Sequence, residues 1–411
     1  SQLGSAMTAY ALTLWAYRRT GHAMTVSILM LCSWLPFVLV SPLAGVLVDR
    51  FPKKRLLLIP DVVAACGTLF ALFLVRTGEL QLWHIAVLNA LTGAMSAVQN
   101  SASAVAVGLL VPSDDLPRTA GLCGFSDAAV GLFAPMLAAG IFGCSGLGSV
   151  FLCDLLTCCL AVGVLAVLRV PETPAPGAAR TRESMGEGFR FLRSMPGLMM
   201  VIVYMALVNL LAQVTYENIL SPMLIARSGS TAAAGAVSSM LGFAGIAGGL
   251  LVAVSRKRQN PMLLIFGATG ASFLLGDLLL GAGRSLPVWL AAGFCASFPI
   301  PFIQAGLNMV YYGAIPRALQ GRAFAAINAL QTSTIPIGLL LGGVLADRVF
   351  EPVMASGTPL ARSLSHIVGT GPGSGMAVMF LCTGTLGCLV SILCSRSKAV
   401  QALTGQSWKC E

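Results

Sequence analysis

The sequence predicts an all-α membrane protein whose twelve transmembrane helices form two six-helix bundles. The first observation is composition: 56% of the 411 residues are hydrophobic, 10% are charged, and the mean hydropathy is +0.86. Soluble domains are about one-quarter charged, so this class is excluded. The second observation is a succession of apolar runs, most of them long enough to cross a bilayer. The third is one polar interval, residues 170–197, which divides these runs into six and six.

The apolar runs follow one another with short connections. In the predicted N-terminal bundle, residues 1–169, they cover 1–17, 25–48, 56–76, 82–110, 119–145 and 148–169. In the predicted C-terminal bundle, residues 198–395, they cover 198–226, 231–254, 261–281, 286–314, 322–350 and 375–395. Because about 17 residues is the lower limit for a span, we expect a truncated first helix. Residues 396–411 are expected to form a cytoplasmic tail.

The polar interval 170–197 is predicted to be a cytoplasmic linker that ends in an amphipathic helix. It opens with the turn-forming segment Pro171-Glu172-Thr173-Pro174. Met185, Phe189 and Leu192 then follow at helical spacing, with charged residues on the opposite face. Such a helix lies in the membrane interface, or it is a loop helix without lipid contact.

The charge distribution indicates the orientation of the chain in the membrane. The net charge is +10, which would suit a nucleic-acid-binding protein. Most of the 25 Lys and Arg residues, however, fall in the connections on one side of the predicted spans. This bias is typical of cytoplasmic loops and not of a groove for phosphates. We therefore expect a multi-pass protein of the cell membrane with both termini cytoplasmic and no nucleic-acid partner.

A charged turn separates the second and third apolar runs. Its cations must lie in water beside the membrane, because burying them in hydrocarbon is costly. One acid among several bases can form pairs that break and re-form, as a gate requires. The predicted gate residues are Gly45, Asp49, Arg50, Lys53, Lys54 and Arg55. The alternative is an ordinary positive-inside loop with a chance acid.

Small residues and prolines mark the fifth run of each half. Small side chains allow close approach of helices, and an interior proline bends a helix. The predicted packing residues are Gly131, Pro135 and Gly140 in the first half, and Pro336, Gly338 and Gly342 in the second. Tight packing without further function is the alternative interpretation.

Polar residues within the apolar runs are the best indicators of a substrate cavity, because they are costly to expose to lipid. Several recur at the three- and four-residue spacing that places them on one face of a helix. The predicted cavity residues are Gln99, Asn100, Asn209, Gln213, Gln304, Asn308, Asn328 and Gln331.

Four acidic residues lie well inside the apolar runs. A carboxyl group in a low-dielectric cavity can take up a proton near neutral pH, as proton-coupled transport requires. We predict this role for Asp127, near the middle of its run, and for Glu217, which shares a helix face with Asn209 and Gln213. For Asp154 and Asp277 we favour a structural acid hydrogen-bonded to a neighbouring helix.

Other site chemistries find little support. The twelve cysteines lie almost wholly in apolar runs without a C-x-x-C spacing, and only three histidines occur. We therefore predict no disulfide framework, metal site or cofactor. No phosphate-binding loop motif is present, which disfavours ATP-driven pumping. An enzyme is not expected, because no H-E-x-x-H or G-x-S-x-G motif occurs.

The charged turn resembles the loop motif between helices 2 and 3 of major facilitator superfamily transporters. Dispersed segments are similar to the macrolide-efflux branch of that superfamily. They are Pro42-Leu43-Ala44-Gly45-Val46-Leu47-Val48-Asp49-Arg50, Glu187-Gly188-Phe189-Arg190-Phe191-Leu192, Gly321-Arg322-Ala323-Phe324 and Ala346-Asp347-Arg348-Val349-Phe350-Glu351-Pro352.

The resemblance implies a proton-coupled exporter of amphipathic small molecules such as macrolide drugs, working by alternating access. A related Gly-Pro pattern in helix 5 is associated with antiporters of the superfamily, although Ala134 replaces its usual glycine here. Protons and membrane lipids are the other expected partners, and we expect a monomer. An importer, a siderophore exporter or a lipid transporter of the same fold remains an alternative.

Overall fold

The structure is a computed structural model that describes residues 1–110, 116–167, 189–255, 260–316, 319–398 and 400. Within these ranges, the side chains of residues 42, 45, 46, 49, 50, 104, 108–110, 116–122, 124, 125, 166, 320–322 and 325 lie outside the description. The regular structure in the described residues is helical, as predicted from the apolar runs.

Six helices make up the first half of the chain. They are α1 (Gln2–Thr20), α2 (Ala23–Arg50), α3 (Lys53–Thr77), α4 (Leu82–Leu110), α5 (Leu116–Ser145) and α6 (Leu147–Val167). Helices α1 and α3 end at Gly21 and Gly78, which adopt the left-handed conformation that glycine favours. Only Phe51 and Pro52 separate α2 from α3, so the predicted charged turn is tight.

The helices of the second half are less regular. They are α7 (Pro196–Ser228), α8 (Thr231–Val254), α9 (Leu263–Ala282), α10 (Leu286–Ala314), α11 (Gln320–Thr332 continued by Thr334–Leu345, Ala346–Phe350 and Glu351–Ala355) and α12 (Ser374–Ser395). π-Helical turns interrupt α7 at Gln213–Glu217 and α9 at Leu263–Gly267 and Ser272–Asp277. A short surface helix, Pro359–Val368, lies between α11 and α12.

Internal contacts divide the chain into two units. The N-terminal unit comprises Ser1–Ala178 with Ser230–Ser239, and the C-terminal unit comprises Ala179–Gly229 with Met240–Glu411. In the N-terminal unit, a core that includes Ala11, Ala138 and Phe151 joins α1, α5 and α6. In the C-terminal unit, buried residues of α7, α9, α10 and α11 form a larger core.

Most of the predicted linker, up to residue 188, lies outside the described residues. Residues 189–194, at the end of the predicted amphipathic stretch, are helical. Phe189 is exposed, whereas Leu192 is fully buried in the core of the C-terminal unit. Leu192 therefore packs against protein.

Ten of the described helices are long and apolar enough to span a membrane. The two long helices outside this group are α1 and α4, which carry more polar residues. Ser5 and Thr8 on α1 and Asn89, Thr92 and Gln99 on α4 line a cavity described below. Part of the polar content of α1 and α4 thus has a structural reason, because polar side chains that face a cavity avoid contact with lipid.

Candidate transport site

The N-terminal unit contains a cavity of about 850 Å³. Side chains from α1, α3, α4, α5 and α6 line it, and they mix apolar residues with hydroxyl, amide and carboxyl groups. Three of the predicted site residues lie on its wall: Gln99, Asn100 and Asp127. A site of this size and mixed character suits a small amphipathic molecule.

The polar groups on this wall contact one another across helices. Gln99 Nε2 donates to Asp61 Oδ1 at 2.9 Å, which links α4 to α3. Gln2 Nε2 donates to Asp127 Oδ1 at 3.5 Å, which links α1 to α5. Asp127 is exposed, whereas Asp61 is buried. Asp127 is therefore the more accessible of these two carboxyl groups.

Asp154 on α6 is buried on the same wall and is surrounded by hydroxyl groups. It accepts hydrogen bonds from Ser5 Oγ at 3.4 Å, Thr8 Oγ1 at 3.1 Å and Thr68 Oγ1 at 3.0 Å. These bonds join α1, α3 and α6 at one point. The sequence placed Asp154 inside an apolar run but did not reveal these partners, because they are remote in the chain.

The predicted polar face of α7 differs from a regular helix face. The spacing of Asn209, Gln213 and Glu217 predicts one continuous stripe, but the π-helical turn Gln213–Glu217 changes the helical period there. Asn209 and Gln213 are half-buried and Glu217 is exposed. The shared face of these three residues therefore stays a prediction, in a helix whose period changes at Gln213.

The π-helical turn lies where α11 approaches α7 closely. Gly338 packs against the side chain of Gln213, and Gly342 packs against the backbone of Val214 and the amide of Asn218. Asn218 Nδ2 donates to Leu339 O at 2.8 Å. The glycines of α11 thus permit backbone contacts that a side chain at either position would obstruct.

Asp277 on α9 is 1% exposed and also meets only hydroxyl groups among its described hydrogen-bond donors. Tyr216 Oη donates to its Oδ1 at 2.5 Å, and Thr383 Oγ1 donates to its Oδ2 at 2.7 Å. Tyr216 belongs to the π-helical turn of α7, and Thr383 lies on α12. Three helices of the C-terminal unit therefore meet at this carboxyl group.

The remaining predicted cavity residues lie on α10 and α11. Gln304, Asn308 and Asn328 are exposed, and Gln331 is half-buried. Thr332 Oγ1 donates to Asn328 Oδ1 at 3.5 Å within α11. These amides lie in the C-terminal unit and are not on the wall of the cavity in the N-terminal unit.

The charged turn is described only in part. Lys53 is buried, Lys54 is half-buried and Arg55 is exposed. The side chains of Gly45, Asp49 and Arg50 lie outside the described residues, although their backbone belongs to α2.

The predicted packing residues of α5 are placed differently from those of α11. A Cβ atom added at Gly131 or Gly140 would meet no atom within 4 Å in the described part of the chain. Pro135 is half-buried, and its carbonyl group contacts Gly235 of α8. Pro336 on α11 is also half-buried.

Comparisons with known proteins agree with this architecture. The sequence model of the Major Facilitator Superfamily matches residues 1–339. Macrolide efflux protein A of Streptococcus pyogenes is 27% identical over 369 residues, covering 85% of this chain and 87% of that protein. Multidrug efflux pump Tap of Mycolicibacterium fortuitum is 25% identical over 365 residues, covering 84% and 86%.

Solved transporter structures share the fold. A bacterial homologue of the iron transporter ferroportin matches with a TM-score of 0.69 and 15% identity, covering 97% of this chain and 96% of that one. A bacterial homologue of the lysosomal transporter Spinster matches with a TM-score of 0.67 and 13% identity, covering 98% and 96%. With these matches, the apolar helices confirm the predicted fold of two six-helix bundles in a multi-pass membrane protein. The chain is a member of the Major Facilitator Superfamily.

Proposed function

We propose that the protein is a proton-coupled exporter of amphipathic small molecules, with macrolide-type drugs as the example. The cavity in the N-terminal unit is the observation that carries this proposal, because it combines about 850 Å³ of space with apolar, amide and carboxyl groups. Two relatives named as macrolide and multidrug efflux proteins support the direction of transport and the class of cargo.

In this proposal, substrate enters from the cytoplasm or the inner leaflet and binds beside Gln99 and Asn100. The amides of the C-terminal half, from Asn209 to Gln331, are the substrate contacts proposed for that half. The two bundles then expose the substrate to the outside by alternating access, which is the transport mode of this fold. The protein acts as a monomer in the cell membrane with both termini in the cytoplasm.

Asp127 and Glu217 are the proposed sites of proton exchange. Asp127 lies on the wall of the cavity in the N-terminal unit, and Glu217 lies in the π-helical turn of α7. Proton binding by either carboxyl group would remove a negative charge and change the free energy of the state that binds substrate. The turn from Gly45 to Arg55 is the proposed cytoplasmic gate, in which Asp49 and Arg50 stabilise the closed state.

The test is drug accumulation in cells that express the chain, compared with cells carrying an empty vector. A panel of macrolides and unrelated amphipathic compounds is measured with and without a protonophore. We expect lower accumulation of macrolides in expressing cells and loss of this difference when the protonophore is present. Export that persists with the protonophore would instead select a transporter without proton coupling, and higher accumulation would select an importer.

A further inference from the structure

Two buried carboxyl groups occupy equivalent places in the two halves. Asp154 lies where α6 meets α1 and α3, and Asp277 lies where α9 meets α7 and α12. Counted within each half, both junctions join the first, third and sixth helices. The sixth helix packs on the first and the third in both halves. The two sites are therefore repeats of one arrangement.

The acid and one threonine exchange places between the two sites. In the N-terminal half, Thr68 on the third helix donates to Asp154 on the sixth. In the C-terminal half, Thr383 on the sixth helix donates to Asp277 on the third. The pair of groups is kept while their helices are exchanged. The common feature is therefore the Asp–Thr hydrogen bond itself. Which of the two helices carries the acid is not fixed.

A glycine of a neighbouring helix packs closely against each acidic residue. A Cβ atom at Gly4 of α1 would come within 2.7 Å of Asp154 Oδ1, and one at Gly384 of α12 would come within 2.9 Å of the Asp277 Cβ. Both distances are shorter than ordinary van der Waals contact. Each carboxyl group is thus enclosed by helix backbone on a side where a larger residue does not fit.

All five side chains that donate to these acids in the described part of the chain are hydroxyls. A hydroxyl group both donates and accepts hydrogen bonds, whereas an arginine or a backbone N–H only donates. When Asp154 takes up a proton, its new O–H can donate to Thr68 Oγ1 or Thr8 Oγ1, and that hydroxyl rotates to accept. The same reversal is available at Asp277 through Thr383. Both junctions can therefore satisfy a charged and a neutral carboxyl group without movement of a helix.

The charged and titratable surroundings of both sites are sparse in the described residues. Facing Asp154 are Asp61 on α3, Asp127 on α5, the amino group of Ser1 and the thiols of its own helix. The titratable group that contacts Asp277 is Tyr216 on α7, whose hydroxyl donates to it. No lysine, arginine or histidine side chain in the described residues donates a hydrogen bond to either acid. The hydrogen bonds to both buried carboxyl groups come from neutral hydroxyls in the described residues, and a bound proton removes the charge whose burial is costly.

We propose that Asp154 and Asp277 are a matched pair of proton-binding sites, one in each half, at which hydroxyl networks hold the proton between steps of transport. The role in transport rests on the proposed proton coupling, but binding of the proton does not. Glu217, a proposed site of proton exchange, follows Tyr216 directly in the chain, and Tyr216 donates to Asp277. Asp127 and Asp154 share the cavity wall in the other half.

The test is infrared difference spectroscopy of the purified full-length chain in detergent between acid and alkaline pH, which reports protonated carboxyl groups directly. The variants are Asp154→Asn, Asp277→Asn and two exchange variants, Thr68→Asp/Asp154→Thr and Asp277→Thr/Thr383→Asp. Each exchange variant builds in one half the arrangement that the other half already has. Glu79→Gln, which removes an exposed carboxyl group between α3 and α4, is the control.

We expect each Asn variant to lack one titrating carboxyl band of the unsubstituted protein. We expect each exchange variant to show a carboxyl band, because it keeps one carboxyl group at the site. Bands that persist in both Asn variants, or an exchange variant that folds without a band, would overturn the proposal. If an Asn variant does not fold, the exchange variant at the same site decides the outcome, because it keeps one carboxyl group there. The measurement needs no substrate, so a chain that shows both bands but exports no macrolide contradicts the proposed function alone.

Discussion

The fifth helices of the two halves, α5 and α11, use similar sequences in different ways. Each has an interior proline and spaced glycines. On α11, Gly338 and Gly342 are buried against α7. On α5, Gly131 and Gly140 are exposed, and the buried positions are Ala134 and Ala138 in the core with α1.

Small residues in a sequence therefore indicate that a helix can pack closely against a neighbour. They do not indicate which face of the helix makes the contact. The face depends on the partner helix. Helix α7 meets α11 at a π-helical turn, where its backbone comes close enough to exclude any side chain at position 342. Helix α1 is a regular α-helix beside α5, and alanines suffice at that contact. The irregular contact in the second half also carries Tyr216 and Glu217, so packing and the proposed coupling site are joined there.

The largest expected effect is the loss of proton-driven export when a proposed coupling acid of either half is replaced by its amide. Glu217→Gln should reduce proton-driven export to the level of cells without the protein, because the amide cannot exchange a proton at the turn of α7. Asp127→Asn on α5 is the matched change in the first half and should also weaken coupling. Transport by each variant is measured in proteoliposomes at several pH gradients. Normal pH dependence in Glu217→Gln would remove this residue from the coupling role.

A smaller effect is expected at the charged turn, which also differs between halves. In the first half, Asp49 lies at the turn between the second and third helices, α2 and α3. The corresponding segment of the second half, between α8 and α9, has Arg256, Lys257 and Pro261 but no acid. Asp49→Asn should slow transport about tenfold, or roughly 1.4 kcal/mol in the barrier. Lys257→Gln should change the rate much less.

Initial transport rates and the amount of inserted protein are compared for both variants of the turn. An unchanged rate for Asp49→Asn with normal insertion would contradict the gate. Equal slowing in Asp49→Asn and Lys257→Gln would show that loss of any charge at these turns slows transport. Asp49 would then have no specific role as an acid.

The smallest expected effect tests the α5–α11 comparison directly through stability. Gly342→Val adds volume against the Val214 backbone and should destabilise the protein by about 1–3 kcal/mol, the usual cost of overpacking. Gly140→Val adds the same volume to an open helix face and should have little effect. Thermal unfolding of both purified variants in detergent provides the measurement. Similar midpoints for the two variants would show that the α7–α11 contact is looser than the structure has it.

The fold was predictable because long apolar runs divided by a central polar interval are compatible with few architectures. The positions of single groups were less predictable. The π-helical turn at Gln213–Glu217 was not predicted, because such a turn leaves no clear mark in the local sequence. Asp154 and Asp277 were visible as acids in apolar runs. Their hydroxyl partners come from helices remote in the chain, so only the packed structure brings them together.

The π-helical turns of α7, α9 and α11, all in the second half among the described residues, have a genetic consequence. Each holds about one residue more than an α-turn, so deleting one codon within Leu263–Gly267 restores the ordinary period and leaves both flanks in register. The same deletion in regular α6 would rotate every later side chain by about 100°. We therefore expect single-residue deletions inside a membrane span to be tolerated best at these π-helical turns.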